Sequence, residues 1–300
     1  MASALRIHPT AIVSRRAVLG ARVAVGPYAT VGPGVTLGDD CEVMGHATVQ
    51  GAVTAGAGCR FFPFSAVGLH PQDKKHVRNL DRAMHAGASA ARLSQVVLGA
   101  RVDVREHATV HGGTVADEAA SEAAVTVIGD DVLLMASSHV GHDSSVGAHA
   151  VLANGVLLAG HVRVGERAVI GGNAAVHQFV DIGRMAMVGG LSGVTASVMP
   201  YTLVTGNRAR LRGVNVVGLR RAGVDRGDVR LLRRVVNYLR GRAPLHPNKT
   251  SPFVLPDEMA PVFDERLATL ERECAWIDEV AVTRDLLSTV RGWRRRTICL

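Results

Sequence analysis

The chain has 300 residues, enough for one long repeat domain or two ordinary domains. Hydrophobic residues make up 47% of it, but Phe, Trp and Tyr make up only 4%, which argues against a large globular core built on aromatic rings. There is no apolar run of about 18 residues and no signal-peptide core near the N-terminus. The composition therefore predicts a soluble, cytoplasmic protein without stable membrane insertion.

The formal net charge of +8 belongs to the C-terminal third of the chain. Residues 1–200 carry 15 Lys and Arg against 15 Asp and Glu, whereas residues 201–300 carry 19 against 11. This excess is typical either of a solvated basic face or of a surface that attracts an anionic partner. Nucleic acid is disfavoured as that partner, because no stacking aromatic residues are interleaved with the basic ones.

An apolar residue recurs at every sixth position from Ile7 to Val67, and again from Ile128 to Val194. A small or β-branched residue stands two positions before most of them, and Gly often follows directly. This period fits neither an α-helix nor a flat strand. It predicts short strands separated by corners, three to a coil, so that residues 18 apart stack along a narrow prism.

Two stretches interrupt the repeat. Residues 69–95 are polar and aperiodic, and residues 111–127 are acidic and then rich in Ala. Long excursions from a compact repeat are usually functional or disordered. We assign residues 1–198 to a parallel β-helix that contains both excursions.

Beyond Val194 the pattern becomes helical. Residues 214–222 and 228–240 have helical spacing, the second with Asp228 at its expected start. A linker with four prolines follows at 244–256, and residues 258–290 have the pattern of one or two further helices. Residues 199–300 are therefore predicted to form a small α-helical C-terminal domain.

Four cysteines lie far apart without metal-ligand spacing: Cys41, Cys59, Cys274 and Cys299. Cys41 and Cys59 fall on the small, inward position of the repeat. We expect buried thiols rather than disulfides or metal ligands, and no cofactor is predicted.

Four histidines occur within the long uninterrupted run: His139, His142, His161 and His177. The intervals from His142 to His161 and on to His177 are each close to one coil, which predicts a cleft wall along one edge of the prism. Metal binding by such a stack would lack a completing Cys or carboxylate pair. Surface or interface histidines without chemistry remain the alternative.

Asp143 directly follows His142. A carboxylate beside an imidazole orients the ring and stabilises the proton that it gains, which is what a general base needs. No Ser or Cys nucleophile stands at a recognisable spacing from a base. The sequence therefore favours direct attack by a substrate hydroxyl or amine over a covalent acyl-enzyme.

Longer strings make a family resemblance specific. The six-residue repeat resembles that of the left-handed parallel β-helix acyltransferases, and within them the UDP-N-acetylglucosamine O-acyltransferase family, which acts in the first step of lipid A synthesis. The strings that carry this resemblance are IHPTAIV at 7–13, QDKK at 72–75, HVGHD at 139–143, LAGHV at 158–162, AVHQF at 175–179, MVGG at 187–190, and GN at 206–207 followed by GVN at 213–215. It covers about residues 7 to 240.

The resemblance implies a mainly β protein, a left-handed parallel β-helix of hexapeptide repeats with a small α-helical C-terminal domain. It also implies that His142 is the general base toward the sugar 3-hydroxyl, that Asp143 supports it, and that the Gly160 N–H stabilises the oxyanion. The substrate-binding residues that it implies are His139, His161, His177 and Gln178 in the sugar and acyl pocket, Asp73 and Lys75 reaching the sugar nucleotide from a neighbouring subunit, and Asn215 and Arg221 at the donor's linker and the diphosphate.

The same resemblance implies the binding partner of the protein and its assembly. The acyl donor of the family is an acidic acyl carrier protein, which gives the basic C-terminal third a purpose, and the family forms homotrimers with the site between subunits. Gly189 and Gly190, without side chains, would leave room for a long acyl tail.

The chain also departs from the family pattern. Val217 stands where an acidic residue is usual, Ala222 stands where a second Arg is usual, and both excursions are longer than usual. Two alternatives therefore stay open: a related acyltransferase that acts on an amino-sugar nucleotide, and a catalytically silent β-helix scaffold that binds a partner through its basic end.

Overall fold

The computed structural model describes residues 5–76, 94–114, 124–241, 264–270, 281–293 and 298–300. In these residues the chain winds into a left-handed parallel β-helix whose three sheets form the sides of a prism, and helices follow near the C-terminal end. This confirms the predicted fold class.

Each coil contributes one short strand to each sheet. Sheet A contains β1 Arg6–Ile7, β4 Ala24–Val25, β7 Glu42–Val43, β10 Arg60–Phe61, β13 Asp103–Val104, β16 Leu133–Leu134, β19 Val151–Leu152, β22 Val169–Ile170, β25 Met187–Val188, β27 Thr202–Thr205 and β28 Arg210–Val214. Sheet B contains β2 Ile12–Val13, β5 Thr30–Val31, β8 Thr48–Val49, β11 Ala66–Leu69, β14 Thr109–His111, β17 His139–Val140, β20 Leu157–Leu158, β23 Ala175–Val176 and β26 Gly193–Val194. Sheet C contains β3 Val18–Leu19, β6 Thr36–Leu37, β9 Ala52–Ala55, β12 Gln95–Leu98, β15 Val125–Ile128, β18 Ser145–Val146, β21 Arg163–Val164 and β24 Asp181–Ile182.

The register follows the six-residue period. In uninterrupted coils, residues 18 apart are paired, for example Val151 with Val169. Arg60 pairs with Asp103 across the first excursion, so this insertion leaves the register of sheet A intact. Among the strands of the described residues only the last pair, β27 and β28, is antiparallel, and it extends sheet A past residue 198, the predicted domain boundary.

The inward positions fill the prism with aliphatic side chains, as the repeat predicts. Leu134, Leu152 and Ile170 are fully buried on successive coils. The Gly that follows an inward residue is needed because the next coil passes very close: a Cβ on Gly147 would lie 2.5 Å from the Glu166 backbone nitrogen. Close packing between coils, rather than a positive φ, thus explains these glycines.

The third residue of most corners has a positive φ, although it is rarely Gly. The side chains at this position in successive coils stack on one another and form a column along each corner of the prism. Between sheets A and B, stacked rings lie 5.0 to 5.2 Å apart, contributed by Tyr28, His46, Phe64 and His107. Between sheets C and A the column consists of ion pairs, which include Arg22 with Asp40 and Arg101 with Asp131. Stacking and pairing of this kind offset part of the cost of the left-handed backbone.

Three helices are fully described: α1 Val216–Arg221, α2 Arg226–Leu239 and α3 Ala281–Gly292. The N-cap of α2 is Asp225, whose side chain accepts a hydrogen bond from the Gly227 N–H, so the helix begins at Arg226, two residues before the predicted Asp228. Residues 264–270 are also helical. The proline-rich linker at 244–256 and Cys274 lie outside the described residues.

The C-terminal end packs back onto the prism. The Tyr201 hydroxyl donates to the Asp285 carboxylate on α3, and the Cys299 N–H donates to the Ser197 carbonyl at 2.8 Å. Cys41, Cys59 and Cys299 are buried free thiols, as predicted. No helix within the described ranges is both long and apolar enough to cross a lipid bilayer.

Candidate active site

The candidate site lies at the corner where the chain passes from sheet B to sheet C, called here the B–C corner. His142 and Asp143 occupy this corner between β17 and β18, and His161 occupies it one coil further on. Both excursions leave the prism after a strand of sheet B and return at a strand of sheet C. The insertions and the histidines therefore share one edge of the molecule.

His142 and Asp143 form a hydrogen-bonded pair. His142 Nδ1 lies 2.7 Å from Asp143 Oδ2, and Asp143 also accepts hydrogen bonds from the Thr114 N–H at 2.9 Å and the Thr114 hydroxyl at 2.8 Å. Burial alone would raise the pKa of the Asp143 carboxyl, but the hydrogen bonds from His142 and Thr114 bring this pKa below its ordinary value. The ionised carboxylate thus holds the Nδ1 proton, which leaves Nε2 of His142 as the basic nitrogen.

Gly160 lies directly beside the imidazole of His142. A Cβ at this position would be 2.5 Å from His142 Nε2, so only Gly lets the ring occupy its place. The Gly160 N–H donates to no atom of the described residues, while the N–H of His161 donates to the His142 carbonyl at 2.9 Å. An unused amide donor close to a basic nitrogen is the arrangement that an oxyanion site needs.

The ring of His161 is fixed between two neighbours. It meets the His142 ring edge-on at 5.1 Å and stacks on Phe179 at 4.7 Å, and its Nε2 lies 3.5 Å from Asp143 Oδ2. Phe179, not His177, completes this column, because a coil contains 18 residues and His177 follows His161 by only sixteen. His177 and Gln178 are exposed on the same corner, and His177 Nδ1 lies 3.1 Å from the Gln178 carbonyl.

A second pair of imidazoles, those of His139 and His111, lies on sheet B near His142. His139 Nδ1 is 2.7 Å from the Thr109 hydroxyl, and its ring meets that of His111 edge-on at 4.7 Å. Burial, with the neighbouring His139 and His142, lowers the pKa of His111 to about 4, and burial likewise lowers the pKa of His139. Both rings are therefore neutral at pH 7 and can each donate and accept one hydrogen bond.

The start of the first excursion lies near His142 of its own chain. Asp73 Oδ1 accepts a hydrogen bond from the Lys75 N–H at 2.9 Å, and both side chains remain accessible. The adjacent His76 is buried, and burial together with the charges of His70 and His142 lowers its pKa. The structure thus places Asp73 and Lys75 at the B–C corner of one subunit, whereas the resemblance implies a contribution across a subunit boundary.

Asn215 and Arg221 lie at opposite ends of α1. The Asn215 side chain caps this helix, accepting from the Gly218 N–H at 3.0 Å and donating to the Met185 carbonyl at 2.9 Å. Arg221 is exposed in the last turn. No contact among the described residues joins either side chain to His142.

One ligand atom each from His142, Asp143 and His161 lie within 4.8 Å of one another. Two imidazoles and a carboxylate are a donor set that Zn²⁺ accepts. The Asp143 oxygens already accept hydrogen bonds from Thr114 and His142. The three residues are therefore at least as well suited to stabilising a proton on His142 as to binding a metal ion. The prediction that no metal is bound stays a prediction.

Four residues of this corner were not among the predicted site residues: Thr114, Phe179, His76 and His111. The signal for Phe179 was present, since it follows His161 by one full coil. Thr114 and His76 belong to the excursions, where the period gives no guide to which side chains return to the prism. His111 ends a strand just before the second excursion, so its partner could not be read from spacing alone.

A parallel β-helix of hexapeptide repeats that places a His–Asp pair and a glycine amide at one corner defines the chain as a hexapeptide-repeat transferase. The family model described as bacterial transferase hexapeptide (six repeats) matches residues 16–51 and 126–160. The model described as UDP N-acetylglucosamine O-acyltransferase, domain 2, matches residues 198–248.

The names of similar proteins identify a particular family within this class of transferases. A protein of Rhizobium leguminosarum bv. trifolii is 42% identical over 234 residues, which is 78% of this chain and 79% of the relative. One of Synechocystis sp. is 40% identical over 233 residues, which is 78% of each chain. Both are named acyl-[acyl-carrier-protein]–UDP-N-acetylglucosamine O-acyltransferase. The chain belongs to the UDP-N-acetylglucosamine O-acyltransferase family.

Solved structures agree with this assignment over nearly the whole chain. The UDP-N-acetylglucosamine acyltransferase of Campylobacter jejuni superimposes with a TM-score of 0.78 at 29% identity, covering 98% of this chain and 99% of the other. The Arabidopsis enzyme of the same name gives a TM-score of 0.76 at 29% identity, covering 98% and 100%.

Proposed function

We propose that this protein transfers a (3-hydroxy)fatty acyl group from acyl carrier protein to the 3-hydroxyl of UDP-N-acetylglucosamine, the first step of lipid A biosynthesis. The observation that carries this proposal is the convergence of a His142–Asp143 pair and the Gly160 amide at one corner, in a chain whose curated relatives bear the name of that activity.

The chemistry requires one base and one oxyanion donor. Nε2 of His142 removes the proton of the sugar 3-hydroxyl as its oxygen attacks the thioester carbonyl carbon. The carbonyl oxygen gains negative charge, which the Gly160 N–H stabilises. The intermediate then collapses, the carbon–sulfur bond breaks, and the leaving thiolate takes the proton from His142. Asp143 stabilises the imidazolium between these two transfers.

Other side chains bind the substrates in this proposal. Neutral His139, together with His161, His177 and Gln178, lines the sugar and acyl pocket. Asp73 and Lys75 contact the sugar nucleotide. Arg221 contacts the donor or the diphosphate, and Asn215 supports that contact by capping α1, since both groups of its amide are engaged.

The acyl tail extends past Gly190 in this proposal. A Cβ there would first meet the Gly172 carbonyl at 3.2 Å, whereas one on Gly189 would meet the Thr205 side chain at 2.6 Å. Gly190 is thus the less tightly packed of the two glycines. A preference for short-chain over long-chain donors would contradict this part of the proposal.

The assembly and the partner complete the proposal. The protein acts in the cytoplasm as a homotrimer with its site near the subunit boundary, and its basic C-terminal third attracts the acidic carrier protein. Raising the ionic strength should then increase KM for the carrier, because screening weakens attraction between exposed charges.

The experiment that tests the function is a transfer assay with 3-hydroxyacyl carrier protein and UDP-N-acetylglucosamine. We expect His142→Ala to lose about 10²-fold or more of kcat, while His8→Ala, a change at an exposed histidine of the first coil, keeps wild-type activity. Amino-sugar nucleotides serve as rival acceptors, since Val217 and Ala222 differ from the family pattern. Faster transfer to an amino-sugar nucleotide would show that the acceptor is an amine and not the 3-hydroxyl. No transfer to any sugar nucleotide would favour the alternative that the protein is a catalytically silent scaffold.

A further inference from the structure

The donor atoms of His142, Asp143 and His161 have nearly the spacing of a tetrahedral metal site. Asp143 Oδ2 lies 2.7 Å from His142 Nδ1 and 3.5 Å from His161 Nε2. Tetrahedral ligands about 2.1 Å from Zn²⁺ lie roughly 3.4 Å from one another, so the first separation must open by less than about 1 Å and the second fits as it stands. In the part of the chain that the structure describes, no other His, Cys, Asp or Glu side chains bring three such atoms together.

Neighbouring residues hold these donors in position. The Asp143 side chain is 7% exposed and accepts hydrogen bonds from the Thr114 N–H at 2.9 Å and the Thr114 hydroxyl at 2.8 Å. The His161 ring stacks on Phe179 at 4.7 Å. Hydrogen bonds to a ligating carboxylate and a fixed ring orientation both raise the affinity of a metal site. The donors are therefore oriented by the fold itself.

The chemistry of the three donors indicates which ion they suit. Two imidazoles and a carboxylate are a set that Zn²⁺ accepts with a water molecule as its fourth ligand, whereas Mg²⁺ and Ca²⁺ prefer oxygen ligands alone. The side chains of His142 and His161 are 21% and 39% exposed, so an ion and its water molecule can reach them from solvent. Asp143 stabilises a proton on His142 from the same place, so the ion and the proton compete.

We propose that Zn²⁺ binds reversibly to His142, Asp143 and His161 and thereby inhibits acyl transfer. An ion on Nε2 of His142 occupies the lone pair that accepts the hydroxyl proton. An ion on Nδ1 leaves the only ring proton on Nε2, which then cannot act as a base. Zinc binding itself does not depend on the proposed acyl transfer, and only the inhibition rests on that function.

The first test is calorimetric titration of the metal-free, full-length protein with zinc chloride. We expect saturable binding that His161→Gln weakens by about 10²-fold or more, because the variant lacks one imidazole ligand. Thr114→Val keeps all three ligands but removes the hydroxyl hydrogen bond to Asp143, and it should weaken binding about tenfold.

His177→Gln is the matched control for this titration. His177 is exposed on the same corner and is not one of the three donors, so the variant should bind Zn²⁺ as the wild type does. No saturable binding by the wild type up to about 1 mM Zn²⁺, or the same affinity in His161→Gln and His177→Gln, would overturn the proposal.

The second test measures acyl transfer over the same range of Zn²⁺, at substrate concentrations well below KM. We expect half of the activity to be lost at the Kd found by titration, and a chelator to restore the rate. Unchanged transfer at saturating Zn²⁺ would overturn the inhibition. If the metal-free wild type transfers to no sugar nucleotide, the proposed function fails, while the titration of His161→Gln still decides whether the zinc site exists.

Discussion

At the residue scale, the position of the His142 ring depends on the absence of a side chain at Gly160. Gly160→Ala would place a Cβ 2.5 Å from His142 Nε2 and push the ring off its position. A displacement of about 1 Å at a reacting group costs on the order of 10²-fold in rate. We therefore expect kcat to fall by about 10²-fold in steady-state assays, with little change in thermal melting.

Gly292→Ala is the comparison for this variant. Outside its own helix, no heavy atom of the described residues lies within 4 Å of the added methyl group at Gly292, so activity and melting temperature should both stay at wild-type values. Full activity in Gly160→Ala would show that the imidazole does not work from the position seen here.

His111 makes stability depend on pH. The pKa of its folded-state imidazole is about 4, while the unfolded chain keeps the ordinary value of 6.5. Between these values the unfolded state binds more protons, so the free energy of unfolding decreases as pH falls from about 6.5 to 4, by an amount on the order of 3 kcal/mol. Above pH 6.5 the residue is neutral in both states and adds no pH dependence.

Urea denaturation at pH 7 and pH 4.5 measures this effect. We expect His111→Gln to reduce the loss of stability between the two pH values, because Gln does not titrate. His8→Gln, at an exposed site, should leave the loss as it is in the wild type. An unchanged loss in His111→Gln would mean that other groups carry the acid sensitivity.

Residues on the repeat itself could be predicted, whereas those on the excursions could not. His142, His161 and the inward positions follow from counting in sixes and eighteens. Thr114 supports Asp143 only because the second excursion begins beside that corner, and this proximity arises from where the chain leaves the prism. Sequence periodicity ends at that point, so the contact has no local signature.

At the scale of elements, most of the short strands place a buried side chain next to a more accessible one. In β20, Leu158 is fully buried while the adjacent Leu157 is 51% exposed. We expect Leu158→Ala to lower the free energy of unfolding by about 2–5 kcal/mol, through lost apolar contact and the cavity that remains. Leu157→Ala should cost less than about 1 kcal/mol in the same denaturation series. Equal costs would mean that the outward face is covered in solution.

The strands could be located from sequence because one inward residue per strand is a strict geometric demand. The sequence did not determine where each helix begins and ends. Asp225 and Asp228 are both acceptable caps by residue type, and the turn at Gly223 with its positive φ places the first of them at the start of α2. Tertiary context thus decided a boundary that local preference left open.

At the scale of the whole molecule, the question is which subunit supplies Lys75 to a given His142. Mixed trimers of His142→Ala and Lys75→Ala chains answer it, since each variant alone should be inactive. If Lys75 acts across a subunit boundary, roughly a quarter of the sites in randomly mixed trimers regain both residues. If it acts within its own chain, no activity returns. Transfer assays on co-expressed subunits measure the outcome.

The excursions return to the prism without shifting its register: Arg60 pairs with Asp103 across 43 residues, and Thr109 pairs with His139 across 30. Their length is therefore independent of the scaffold. A longer, shorter or exchanged segment at either place changes what surrounds His142 while every coil keeps its neighbours. Substrate range in this architecture can evolve by insertion and deletion, with no compensating substitution in the core.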